Sequence, residues 1–164
     1  MENVLYCVKY SERSGRHILT ENDEFRLYDM SELPKGQYKK VLFTGSREDI
    51  DRLSAEFLSR NSDGNKYYFL RSEPTLFELL PINAKKGEAV KEISKMFNVP
   101  IENICAIGDY YNDVTMLEAA GCSCAVSGAP DEIKDIADYI SCSCEDGAVA
   151  DFISYIESVQ INKR

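Results

Sequence analysis

From Lys85 onwards, short apolar runs alternate with segments whose apolar residues recur at helical spacing. KKGEAVKEISKMF, NDVTMLEAA, PDEIKDIA and GAVADFISYIESV carry the helical pattern, while ENICAIG, CSCAV and DYISCS are the short runs between them. Strands that alternate with helices are joined by crossovers, and crossovers place their strands in parallel. The fold expected is therefore α/β: a parallel sheet flanked by helices. Ala89, Val90, Ile93 and Phe97 are expected to share one side of the first helix, Gly121 to close the second, and Pro130 to sit in the first turn of the third.

Before Lys85 the rhythm differs. VLYCVKY, RHILT and EFRLY have strand character and are broken by polar turns. KKVLFTG is a further strand, and SREDIDRLSAEFLSR a helix with Ser46 as N-cap and Asp49 placed to complete a capping box. Ile50, Leu53, Phe57 and Leu58 supply that helix's apolar face. KYYFLRS and TLFELLP flank Glu73-Pro74 as a hairpin. Residues 1–82 thus read as an α+β unit of antiparallel strands and one helix, and residues 83–164 as a second unit.

Composition narrows the partners. In 164 residues, 19 Lys and Arg stand against 28 Asp and Glu, a net charge of −9, and no basic stripe offsets it. Nucleic acid and anionic membrane surfaces are disfavoured. No apolar run approaches the roughly 18 residues of a membrane span, and MENVLYCVKYSER has no signal-peptide pattern, so the expected compartment is cytoplasmic. There the six cysteines are expected as thiols. Four of them form CSC twice, Cys122/Cys124 and Cys142/Cys144. C-x-C is not the usual zinc spacing, and both pairs fall in strand-like segments, so small buried thiols are the reading preferred over zinc. The single histidine, His17, lies in a polar stretch and leaves little room for histidine-based chemistry.

One run invites chemistry: AIGDYYNDVTML, residues 106–117, where a strand gives way to a helix. Ligands of parallel sheets bind at the carboxyl ends of the strands. There Gly108 is expected to let the chain turn sharply, Asp109 to project into the crevice, and Asn112 and Asp113 to open the next helix, where exposed N–H groups favour an anion. A hard cation such as Mg²⁺ takes oxygen ligands from one or two carboxylates, phosphate and water. On spacing alone, the two aspartates serve equally well as helix caps.

Over residues 85–153 the chain resembles the C-terminal part of Cof-type phosphatases of the haloacid dehalogenase (HAD) superfamily. The pieces are Lys86-Gly87 opening a helix, IGDYYNDVTMLEAAG, CAVSGA, PDEIKDIADYI and EDGAVA. Residues 38–82 resemble the second half of the cap domain of the same group. The resemblance implies an incomplete HAD-like Rossmannoid core at 83–164, preceded by a partial α+β cap at 1–82 that serves substrate specificity. It implies a Mg²⁺-dependent phosphatase of small phosphorylated metabolites that works through a phosphoaspartate. By position, Lys86 and Asp113 take catalytic roles, Asn112 and Lys86 bind the substrate's phosphoryl group, and Asp109 binds the metal. Where the family often has Gly-Asn-Ala, this chain reads Ser127-Gly128-Ala129.

The family's nucleophile motif, an apolar strand ending in D-x-D-G-T, is not found in these 164 residues, nor is the Ser/Thr of its second motif. The resemblance thus implies a chain that begins inside the cap, and the isolated chain is expected to be inactive. The lost strand would leave an open sheet edge, open to self-association or to a strand-complementing partner. The alternative is a non-catalytic phosphate-binding or regulatory remnant of the fold.

Overall fold

The computed structural model of the chain describes residues 4–7, 24–27, 29–33, 35–36, 38–61 and 65–161. Two short strands come first, β1 (Val4–Cys7) and β2 (Glu24–Leu27), and they pair with each other in parallel. That corrects the antiparallel expectation for this stretch. Residues 8–23 separate the two strands, enough chain for a crossover rather than a tight hairpin. RHILT and His17 fall outside the described residues.

An antiparallel sheet follows, in the order β3 (Val41–Thr44), β5 (Leu76–Pro81), β4 (Tyr67–Glu73). Helix α1 (Arg47–Phe57) crosses one side of it. Its start is the expected capping box: Ser46 Oγ accepts the Asp49 N–H at 3.1 Å, and Asp49 Oδ2 accepts the Ser46 N–H at 3.3 Å. Two of the helix's first orphan donors are satisfied by that exchange. Ile50 is fully buried, and Phe57, Phe69 and Phe77 form a run of ring contacts beneath the helix at 5.2 and 5.8 Å. Because strand side chains alternate, the register sets Leu42 and Leu70 opposite Glu78 on the other side of the sheet.

The second half alternates as expected: α2 (Lys86–Phe97), β6 (Cys105–Gly108), α3 (Val114–Ala119), β7 (Cys122–Val126), α4 (Asp131–Lys134), β8 (Tyr139–Ser141) and α5 (Ala148–Ile161). The three strands pair in parallel in the order β6-β7-β8. Ala106, Leu117, Ala125, Val126, Ala129, Ile133 and Ala148 form the core between sheet and helices. The fold is α/β, with a helix-flanked parallel sheet.

One apolar side stays largely uncovered, and one expectation needs correction. Of the apolar side of α2 only Val90 is buried; Ala89 is exposed, and Ile93, Met96 and Phe97 are 48%, 77% and 67% exposed. Helical periodicity marks an apolar side without saying what covers it. The second CSC is not strand: β8 stops at Ser141, because Asp151 Oδ2 accepts the Cys142 N–H at 2.8 Å and turns the chain towards α5. Cys144 is exposed, and all six cysteines are unbridged. Among the described residues, no helix is long and apolar enough to cross a membrane.

Candidate functional site

Strand β6 ends at Gly108, so Asp109 stands at its carboxyl end. The chain then makes a 3₁₀ turn, Tyr111–Asp113, before α3 begins. Only six residues are α-helical there, which leaves little macrodipole. The positive charge of the site comes instead from Lys86, at the start of α2.

The Asp113 side chain decides between cap and site. It makes no capping bond to α3. Its Oδ1 meets the Lys86 ammonium in an ion pair, and its Oδ2 accepts the Asp109 N–H at 3.0 Å. Asp113 is only 4% exposed, while the Lys86 side chain is 47% exposed. A buried carboxylate needs such partners to offset its desolvation. Asp113 thus orients both the lysine head and the backbone beneath Asp109.

Two glycines make this approach possible. A Cβ on Gly108 would stand 2.5 Å from Asp113 Cβ, and one on Gly87 would stand 2.2 Å from the Thr115 carbonyl oxygen. Gly108 is therefore there for the Asp113 side chain; its φ is not positive, so the expected sharp turn is not what requires it. Gly87 lets α2 lie against α3, an approach secured by the Gly87 N–H donating to Thr115 Oγ1 at 3.1 Å. Lys86 reaches Asp113 because of that contact.

Asp109 itself is exposed. Its carboxyl is held above the usual carboxylate range, first by loss of solvation and then by repulsion from Asp113, with Lys86 opposing both. Asn112 lies in the 3₁₀ turn, and its Oδ1 is buried without a hydrogen-bond partner. The donors have the hard-oxygen chemistry that Mg²⁺ prefers. Both Asp113 oxygens are engaged, so the exposed Asp109 carboxylate is the one left to meet a cation. Among the described residues, no group of three or more His, Cys, Asp or Glu could hold a metal alone. The residues present fit Mg²⁺ as part of a shell that phosphate, water and further ligands must complete.

The chain matches the haloacid dehalogenase-like hydrolase family over residues 2–153. It belongs to that family. Phosphatase YwpJ of Bacillus subtilis is 40% identical over 80 residues, covering 49% of this chain and 28% of that protein. The 5-amino-6-(5-phospho-D-ribitylamino)uracil phosphatase YcsE of the same organism is 31% identical over 112 residues, covering 68% and 44%. A solved haloacid dehalogenase-like hydrolase from B. subtilis superposes with a TM-score of 0.64 at 30% identity, covering 77% of this chain and 45% of that one. A Streptococcus mutans structure, 22% identical, shares the fold with a TM-score of 0.76 over 94% of this chain and 57% of its own. The chain thus spans less than half the length of YwpJ and of YcsE.

The structure brings together Lys86, Asp113 and the Asp109 backbone; Asn112 lies in the same turn, but its side chain lines a pocket with Lys40, Leu42, Ser72 and Glu78. Pattern reading missed Thr115, which anchors α2, and Glu78, a buried acid on the sheet side opposite α1. Alternation along β5 was the available signal for Glu78, since it places a carboxylate between Leu76 and Leu80 on one side.

Proposed function

We propose that this chain is the cap-bearing and C-terminal part of a Mg²⁺-dependent phosphomonoesterase that acts on small phosphorylated metabolites through a phosphoaspartate. In this reading residues 1–82 belong to the cap and residues 83–164 to the core. The observation that carries it is the Asp113-centred constellation, in which one buried carboxylate holds the Lys86 ammonium and the Asp109 backbone at the end of β6. Lys86 presents a compact positive charge to the phosphoryl oxygens. Asn112 hydrogen-bonds the phosphoryl group, and Asp113 fixes Lys86. Asp109 would hold Mg²⁺, which when bound screens the charge of the phosphate. The contribution of these residues is positioning and electrostatic stabilisation.

The carboxylate that becomes phosphorylated is not among them. No D-x-D-G-T run ends an apolar strand in these residues, so another segment must supply it. Strand β6 lies at one edge of its sheet among the described residues, and an open edge is a template for such a strand. The 164-residue chain alone is therefore inactive as a phosphatase.

Complementation tests the proposal. The N-terminal half of a full-length relative, carrying the D-x-D strand and the second motif, is added in trans or fused ahead of Met1. Mg²⁺-dependent hydrolysis of p-nitrophenyl phosphate should appear, and Asp109→Ala or Lys86→Ala should remove it. A folded complex without hydrolysis would favour the binding remnant instead.

A further inference from the structure

Two cysteines stand side by side where β6 and β7 begin. The parallel register pairs Cys105 with Cys122, the first residue of each strand. Register partners project from the same side of a sheet, and neighbouring strands lie about 4.8 Å apart. A disulfide needs Cα atoms about 4.4–6.8 Å apart, so this spacing suits one. The segments leading into the two strands are tied together as well. The Gly121 N–H donates to the Ile101 and Ile104 carbonyls at 3.1 and 2.9 Å, and the Cys122 N–H to the Ile104 carbonyl at 3.3 Å. Gly121 allows this approach, since a Cβ there would stand 2.3 Å from the Glu102 Cα and carbonyl oxygen.

Access differs between the thiols. Cys105 is exposed and Cys122 half-buried, whereas Cys124 is fully buried. Burial first, and then the neighbouring Cys105 sulfur, push the Cys122 thiol up. The C-x-C pair Cys122/Cys124 is the poorer candidate for a bridge. Alternate residues of one strand are about 6.6 Å apart with side chains pointing the same way, at the far end of the disulfide range.

From this geometry we propose that Cys105 and Cys122 are a reversible oxidation site, which a peroxide converts to a β6–β7 disulfide and a dithiol restores. Cys105, the reachable sulfur, attacks one oxygen of hydrogen peroxide. The O–O bond breaks, and the thiol proton leaves with the other oxygen as water. The Cys122 sulfur then attacks the Cys105 sulfenic acid, the S–O bond breaks, and a second water departs with the Cys122 proton. Two thiols and one peroxide thus give one disulfide and two waters. Two electrons pass from the sulfurs to the peroxide, and a dithiol returns them by exchange. The site lies at the opposite end of β6 from Asp109 and takes no part in the phosphatase reading. The bridge nevertheless closes a covalent ring, residues 105–122, that contains Asp109, Asn112 and Asp113.

The test treats the purified, fully reduced chain with a small excess of hydrogen peroxide, alkylates the remaining thiols and reads the intact mass. Digestion at glutamate follows, because cleavage after Glu118 separates Cys105 from Cys122. The monomer should lose two hydrogens and two alkylatable thiols, and the Cys105 peptide should be joined to the Cys122 peptide. Dithiothreitol should reverse the change. Cys105→Ser and Cys122→Ser should each abolish the bridge, while Cys124→Ser should leave it. Closing a ring of this length restricts the unfolded chain, so the oxidised form should melt about 5–10 °C higher. A bridge made through Cys124, Cys142 or Cys144, a disulfide-linked dimer, or oxidation that stops at an acid of Cys105 would overturn the proposal. So would a melting temperature that fails to rise, because the bridge would then form only by distorting the strand pair. The peptide map of the unaltered chain decides the pairing even if a serine variant does not fold.

Discussion

Gly87→Ala is a substitution on which two physical effects disagree in sign. In an exposed helix, exchanging glycine for alanine stabilises by about 1 kcal/mol. Here the new Cβ would stand 2.2 Å from the Thr115 carbonyl oxygen and 2.8 Å from its carbon. Both are backbone atoms, so α2 and α3 must separate by roughly 1 Å to restore an ordinary contact. Overpacking of that kind costs about 1–3 kcal/mol, and loss of the Gly87 N–H to Thr115 Oγ1 bond about 1 more. The net expectation is a destabilisation of about 2 kcal/mol, or a fall in Tm of about 4–8 °C for a chain of this size. Gly128→Ala is the control, because a Cβ there meets nothing within 4 Å; its Tm should not fall. Thermal unfolding followed by circular dichroism measures both. A Gly87→Ala chain as stable as the wild type would refute the close α2–α3 contact and, with it, the stated reason that Lys86 reaches Asp113.

Lys86→Met leaves the buried Asp113 carboxylate with one partner; discounted for the lysine's 47% exposure, the cost should be about 1–2 kcal/mol. In a denaturant double-mutant cycle, Asp113→Ala should cost less in the Lys86→Met background than in the wild type, and additivity would deny the coupling. Asp109→Asn should raise Tm at neutral pH and lose that advantage under acid conditions. The raised Asp109 carboxyl binds its proton more readily folded than unfolded, so its contribution is fully favourable below the unfolded value and is lost as pH rises through the folded one. Tm measured from about pH 4 to about pH 7 should show the difference between variant and wild type growing with pH. If β6 offers an open edge, sedimentation velocity should show association that rises with concentration, and a Lys placed on that edge at Cys105 should reduce it.

The parallel sheet was legible because each strand is a short apolar run followed by a helical repeat, and the capping box of α1 because Ser46 and Asp49 stand three residues apart. Asp109, Asn112 and Asp113 were legible as neighbours of a strand end, and Lys86 only through the family resemblance. That Asp113 turns away from its helix to hold Lys86 is a tertiary fact, set by Gly87 and Thr115, and no local spacing encodes it. The parallel β1–β2 pair escaped because pairing direction depends on the path of the connection rather than on strand composition. The uncovered side of α2 escaped because periodicity identifies Ile93 and Phe97 as apolar but not what packs on them. Glu78 was hidden within LFELLP, because its burial on the side away from α1 depends on tertiary neighbours, Lys40 and the Asn112 turn, that no local pattern specifies.

In the proposed function, Lys86, Asp109, Asn112 and Asp113 hold and orient a phosphate but cannot cleave its ester without a carboxylate from elsewhere. Turnover by the purified 164-residue chain alone, with Mg²⁺ and p-nitrophenyl phosphate, puts that to the test. Hydrolysis no faster than that of the Asp109→Ala chain is the predicted result. Mg²⁺-dependent turnover that Asp109→Ala abolishes would contradict it, because a nucleophile would then have to lie within these residues.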